Sequence, residues 1–239
     1  HTFMSKKTTL LSIVLIVLVT FWGSNIFDEE LTHVSTIEQS KESAQVAEIA
    51  TDTTDVETWV ISMYDELMQR IGEEEGQDWR LMSAIAYNES RFQDGLISKQ
   101  GAIGLMQVMP IVGKQFNVAK EHLSDPETNI RLAGKLLSKI DATLKISPST
   151  PQSDRMSIIL ACYNGGIGHV SDARRLAKSN GENPNSWEVV ARYLKQKADP
   201  AVYESELVKY GKFTGSRQTE AYVREVMKRY DIYCKMITQ

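Results

Sequence analysis

Residues 84–110 read AIAYNESRFQDGLISKQGAIGLMQVMP, and the rest of the chain is organised around them. The first part is helical in pattern and ends at Asn88-Glu89-Ser90. A short polar loop follows. A glycine-spaced apolar run, Gly101 to Pro110, closes the stretch. With the segment before Glu89 taken as a helix, Trp79, Met82, Ile85, Ala86 and Glu89 share one face, at spacings of three and four. The spacing therefore sets a carboxylate on an apolar face. Burial disfavours a charged carboxylate and raises its pKa. The negative end of the helix dipole pushes the same way. A glutamic acid still protonated near neutral pH is what a general acid requires.

Two plainer readings stand beside this one. Glu89 can be a solvated helix-end glutamate, or one paired with Arg80 or Arg91. The glycine-spaced run taken alone is equally a turn followed by a buried helix, with Gly101 and Gly104 marking close backbone approach.

Working outward, the chain predicts helix after helix. Toward the N-terminus, Thr54 and Glu57 form a capping box, and Val56, Trp59, Val60, Met63, Leu67 and Ile71 follow helical spacing behind it. Glu73-Glu74-Glu75-Gly76 ends that run, and a second helix starts near Asp78. Toward the C-terminus, Asp125 is an N-cap with Pro126 in the first helical position. The apolar face behind it is Ile130, Ala133, Leu136, Leu137, Ile140 and Leu144. Ser153 or Asp154 opens a helix through Met156, Ile159, Leu160 and Tyr163, which Gly165-Gly166 stops. Residues 180–186 (NGENPNS) form a loop. Helices follow over about 187–197 and 219–237. No alternating run is long enough to build a sheet. The fold class expected is all-α.

Three motifs in one order carry a family resemblance. They are Glu89-Ser90-x-Phe92 with Ser98; Gly101-Ala102-x-Gly104-Leu105-Met106-Gln107-x-Met109-Pro110; and Ala161-x-Tyr163-Asn164-Gly165-Gly166. Together they resemble the soluble-lytic-transglycosylase (SLT) catalytic domain, a goose-lysozyme-like helical family that cuts bacterial peptidoglycan. The resemblance covers about residues 56–239 and looks closest to the membrane-associated branch. It implies that Glu89 is the catalytic acid. It also implies a groove for peptidoglycan glycan strands lined by Ser98, Gln107, Tyr163, Asn164 and Tyr222. Ser98 and Gln107 would orient the glutamate or a substrate acetamido group, and Tyr222 would stand near the acid. Read without the family, Ser98 and Gln107 are ordinary loop and helix polarity, and Tyr163-Asn164 is packing plus a cap. Asn129 matches a family asparagine and reads as structural. Met106 and Met109 read as core.

The resemblance implies cleavage of the β-1,4 bond between N-acetylmuramic acid and N-acetylglucosamine, with a 1,6-anhydromuramyl product and no cofactor. Hydrolytic glycosidases usually need two carboxyl groups. The nearest spare acid here is Asp94, outside any motif. A goose-type muramidase and a non-catalytic glycan-binding domain are the competing readings. The expected partners are peptidoglycan strands, with no nucleic acid, and the expected state is a monomer.

The ends of the chain are different in kind. The whole chain has 239 residues and a formal net charge of −4. Residues 1–24 carry Lys6-Lys7 and then an apolar run over 10–22, the pattern of an export signal or an uncleaved membrane anchor. Either places the remainder in the periplasm or cell envelope. Residues 25–55 are sparse in large apolar side chains and rich in acids, which reads as a flexible acidic linker. Residues 56–239 form the catalytic domain. His1, His33, His122 and His169 have no metal-ligand spacing, so no metal is expected. Cys162 and Cys234 are either a disulfide of an exported protein or two buried thiols.

Overall fold

The computed structural model describes residues 60–237. The expected signal or anchor, the acidic linker and the Thr54–Glu57 capping box lie outside the described residues. Within them the fold is all-α. The helices are α1 (Asp65–Glu75), α2 (Trp79–Ser90), α3 (Pro110–Gln115), α4 (Pro126–Leu144), α5 (Gln152–Gly165), α6 (Ile167–Ser179), α7 (Trp187–Gln196), α8 (Pro200–Tyr203) and α9 (Ser216–Ile237), with a 3-10 turn at Lys120–His122.

Local chemistry sets most boundaries. Gly76 ends α1 at φ 67°, a left-handed conformation that glycine adopts without a Cβ penalty. Asp78 caps α2 by accepting from the Arg80 backbone N–H at 2.9 Å. Asp125 caps α4 through the Thr128 N–H at 2.9 Å, with Pro126 in the first turn.

The start of α1 differs from the sequence reading. The helix begins at Asp65, not before Val60, because the Asp65 carboxylate accepts the N–H groups of Ile61 (2.7 Å) and Ser62 (2.9 Å). These bonds fold the entering chain back over the helix start. Val60 and Met63 consequently precede the helix and are exposed rather than lying on its apolar face. A second difference is α6, which the sequence reading lacks. Gly166, at φ 93°, closes α5 and opens α6 with no loop between them.

α5 is the central helix. It packs against α4, α6, α7 and α9, and is buried on nearly all sides from Met156 to Gly165. α2 lies between α1 and α9. This brings the last helix of the chain against the helix that ends in Glu89. Cys162, on α5, is buried in the core, and Cys234, on α9, pairs with Tyr230. The two are not joined in a disulfide.

Candidate active site

Glu89 occupies the last turn of α2 and is 5 % exposed. Its Oε1 accepts a hydrogen bond from the Tyr222 hydroxyl at 2.8 Å. Its Oε2 is buried, and no described group hydrogen-bonds to it. Burial pushes the carboxyl up to about 8; the Tyr222 bond, which favours the charged form, opposes that rise. The plainer readings of Glu89 fail here. Arg80 is engaged with Asp78 at 2.8 Å, and Arg91 lies over the Tyr87 ring at 4.1 Å. Neither neutralises Glu89.

The chain leaves α2 through two consecutive non-glycine residues in the left-handed region, Arg91 (φ 54°) and Phe92 (φ 61°). It then folds into a compact loop over residues 91–109. Two isolated bridges, Ile97 to Ile103 and Ile103 to Val108, hold the loop. Glycine is required at position 104. Its φ is 79°, and a Cβ there would stand 2.7 Å from the Asn129 amide. Asn129 is fully buried on α4 and is structural, as its sequence position suggested. Its Nδ2 donates to the carbonyls of Ile103 (2.8 Å) and Leu123 (2.7 Å), and its Oδ1 accepts from the Met106 N–H (2.8 Å). Ser90 Oγ donates to Leu105 O at 2.8 Å, which ties the end of α2 to the same loop. Met106 is fully buried and Met109 packs against the core.

The other expected site residues fall in three places. Tyr163 and Tyr222 stand with Glu89: the carboxyl acts on both phenols, and burial raises both well above the ordinary tyrosine range. Tyr163 donates to Met106 O at 2.7 Å, so it also braces the loop. Asn164 does not reach Glu89 by any recorded bond. Its Oδ1 accepts from Thr219 Oγ1 at 2.9 Å, one turn before Tyr222 on α9. Ser98 and Gln107 belong to the loop. Ser98 Oγ accepts the Ala102 N–H at 3.0 Å; Gln107, at φ 47°, donates through Nε2 to Leu96 O and Gly104 O at 3.1 and 2.9 Å. Thr219 is the member that sequence reading did not assign. Its signal is its position three residues before Tyr222, which puts both on one helical face.

A cavity of about 240 Å³ lined by Asp78, Asp141, Arg155 and Tyr230 lies at the opposite end of α2 from Glu89. Its charged groups are paired with one another or with Arg80.

With this geometry in place, the comparisons with known proteins agree on one family. A family model described as Transglycosylase SLT domain matches residues 66–186. Over 172 residues the chain is 36 % identical to a membrane-bound lytic murein transglycosylase F of Alcanivorax borkumensis, covering 72 % of this chain and 35 % of that protein. A protein of the same name from Stutzerimonas stutzeri is 34 % identical over 169 residues, covering 71 % of this chain and 33 % of its own length. The chain thus spans about a third of the length of the curated relatives it matches. Among solved structures, an inactive mutant of the lytic transglycosylase Slt from Pseudomonas aeruginosa superposes with a TM-score of 0.50 at 22 % identity. That match covers 74 % of this chain and 24 % of that one, and supports the fold.

Proposed function

The chain belongs to the transglycosylase SLT domain family, and from that premise we propose that it is a peptidoglycan lytic transglycosylase with Glu89 as its single acid and base. The observation that carries this reading is the Glu89 carboxyl: buried, raised to about 8, held through Oε1 by Tyr222, with Oε2 bonded to no described group. Such a group is protonated at neutral pH and has one oxygen free to donate.

In the reaction proposed, Glu89 gives its proton to the glycosidic oxygen between C1 of N-acetylmuramic acid and O4 of N-acetylglucosamine. The C1–O4 bond breaks, its electron pair stays on O4, and positive charge develops at C1. The Glu89 carboxylate, stabilised by the Tyr222 hydroxyl, then takes the proton from the O6 hydroxyl of the same muramic residue. O6 attacks C1, the 1,6-anhydro ring closes, and Glu89 is protonated again with no water consumed. One carboxyl group suffices. Burial and Tyr222 are the causes of the Glu89 shift, with no neighbouring carboxylate among them. Asp94 is exposed and bonds Tyr64 instead. Hydrolytic glycosidases usually place a second carboxyl group near the bond.

Tyr163 and Tyr222 flank the acid in this reading. Ser98 and Gln107 build the loop wall along which the glycan lies, and Asn164 sets α9 through Thr219. The polymer is peptidoglycan, the location is the cell envelope, and residues 10–22 are the segment proposed to anchor or export the chain.

The test is a digest of purified peptidoglycan by the chain and by Glu89→Gln, with products identified by mass spectrometry. Anhydromuropeptides from the wild type and none from the variant support the proposal. Reducing-end products would transfer the protein to the muramidases. No product from a folded wild type that still binds glycan would leave a binding domain.

A further inference from the structure

Behind the loop that enters α9 lies a buried charged cluster that the reaction above does not use. Lys197, just after α7, is fully buried, as is Asp172 on α6. Lys197 Nζ donates to Asp172 Oδ2 at 2.6 Å and to His169 Nδ1 at 2.9 Å. An ammonium has no acceptor, so His169 Nδ1 accepts, and its imidazole is neutral. Burial and the Lys197 charge push that ring down to about 4.

The cluster grips the segment before α9 at four points. Asp172 Oδ1 accepts the Lys209 N–H and Oδ2 the Tyr210 N–H, each at 2.9 Å. Arg175, itself bonded to Asp172 at 2.6 Å, donates to Leu207 O at 2.6 Å. The Phe213 N–H donates to Lys197 O at 3.1 Å. The Phe213 ring packs on His169 with centroids 4.6 Å apart. Tyr210 lies so close over Gly168 that a Cβ there would fall 2.4 Å from its ring.

The same segment leads directly to the site. A Cβ on Gly165 would stand 3.2 Å from the Phe213 ring and 2.9 Å from Thr219 Oγ1, so both pack on the end of α5. Thr219 bonds Asn164, and one turn later Tyr222 bonds Glu89. Fixing residues 207–213 therefore fixes the start of α9, and with it the Tyr222 hydroxyl. A buried ion pair whose carboxylate also holds two backbone N–H groups suits such a role, because removing either partner leaves an uncompensated buried charge and the grip is lost as a whole.

We propose that Lys197 and Asp172 are positioning residues for the active site, holding the 207–213 segment so that Tyr222 keeps its bond to Glu89. This rests on the assignment of Glu89 as the acid, but its test does not require lytic activity. The Glu89 carboxyl is titrated by isotope-edited NMR in the full chain, with its resonance identified by comparison with Glu89→Gln. Tyr163 and Tyr222 are the titratable groups that act together with it. Wild type, Lys197→Met, Tyr222→Phe and the double variant form a cycle.

Loss of the Tyr222 bond raises the Glu89 midpoint, because that bond favours the carboxylate. Lys197→Met is expected to raise the midpoint by about half a pH unit or more, and to add nothing in the Tyr222→Phe background. An unchanged midpoint in a folded Lys197→Met protein overturns the proposal. So does a shift that adds in full to that of Tyr222→Phe. If Lys197→Met does not fold, Asp172→Asn removes the ion pair while keeping the shape and one acceptor oxygen for the 209–210 backbone, and the same two outcomes decide. Failure of the peptidoglycan digest with an intact coupling would reject the reaction and keep the positioning role.

Discussion

The hydroxyl of Tyr222 meets the carboxyl of Glu89 at 2.8 Å although 133 positions separate the two residues. This bond opposes the effect of burial on the acid. In the reaction we propose, burial keeps the proton on Glu89 for the first step and Tyr222 keeps the carboxylate accessible for the second. A hydrogen bond to a charged group contributes about 1.5–3 kcal/mol. Tyr222→Phe should therefore slow turnover by roughly tenfold or more at neutral pH, and raise the Glu89 midpoint above its wild-type value. A pH–rate profile checks both. An unmoved basic limb would detach Tyr222 from the acid.

The Glu89 shift also predicts how stability depends on pH. The folded pKa of about 8 lies above the ordinary glutamate value of 4.5. Between those values the folded state holds a proton that the unfolded state has released. The contribution is fully present below about pH 4.5, and is lost as pH rises through the window to about 8. Glu89→Gln keeps the shape without the charge. It should match the wild type in stability near pH 4.5 and exceed it increasingly toward pH 8, by at most about 1.4 kcal/mol per pH unit. Melting temperatures of the two proteins across this range provide the measurement, and a constant difference would contradict a buried, raised acid.

Gly104→Ala should destabilise the fold by about 2–4 kcal/mol. The substitution places a Cβ at a left-handed position, 2.7 Å from the Asn129 amide, and must displace a group that makes three bonds to the backbone. Denaturant unfolding reads the loss. Gly101→Ala is the control, because it shares the positive φ but meets nothing within 4 Å, and so should cost less.

Thr219→Val removes one hydroxyl with little change of shape, and leaves Asn164 Oδ1 buried without its partner. The expected cost is about 1–3 kcal/mol of stability. Activity should fall with it, since Thr219 lies one turn before Tyr222. Activity lost through Thr219 alone should be smaller than that lost in Tyr222→Phe, which touches the acid directly; steady-state digestion rates compare the two.

Short-range chemistry was legible in the sequence. Asp78, Asp125 and Gly76 mark helix ends because each acts on backbone groups within a few residues. The glycines at 101 and 104 announce a tight loop, and the apolar spacing before Glu89 sets the acid against the core, since both depend on local dihedrals and a 3.6-residue period. The same local rules misread the chain where a neighbour intervened. Helical spacing from Val56 onward gave no warning that Asp65 would turn the chain back at residues 61 and 62, and a glycine pair that signals a stop conceals that Gly166 starts a second helix.

Tertiary structure alone decided which oxygen of Glu89 is held and which is unpartnered, that Gln107 points its amide into its own loop, and that Asn164 serves α9. It also decided that Lys197 and Asp172 are buried together. The Glu89–Tyr222 and Asn164–Thr219 bonds join residues far apart in the chain, and no local periodicity encodes them. They form only when α9 packs back onto α2 and α5 and excludes water from the groups between them.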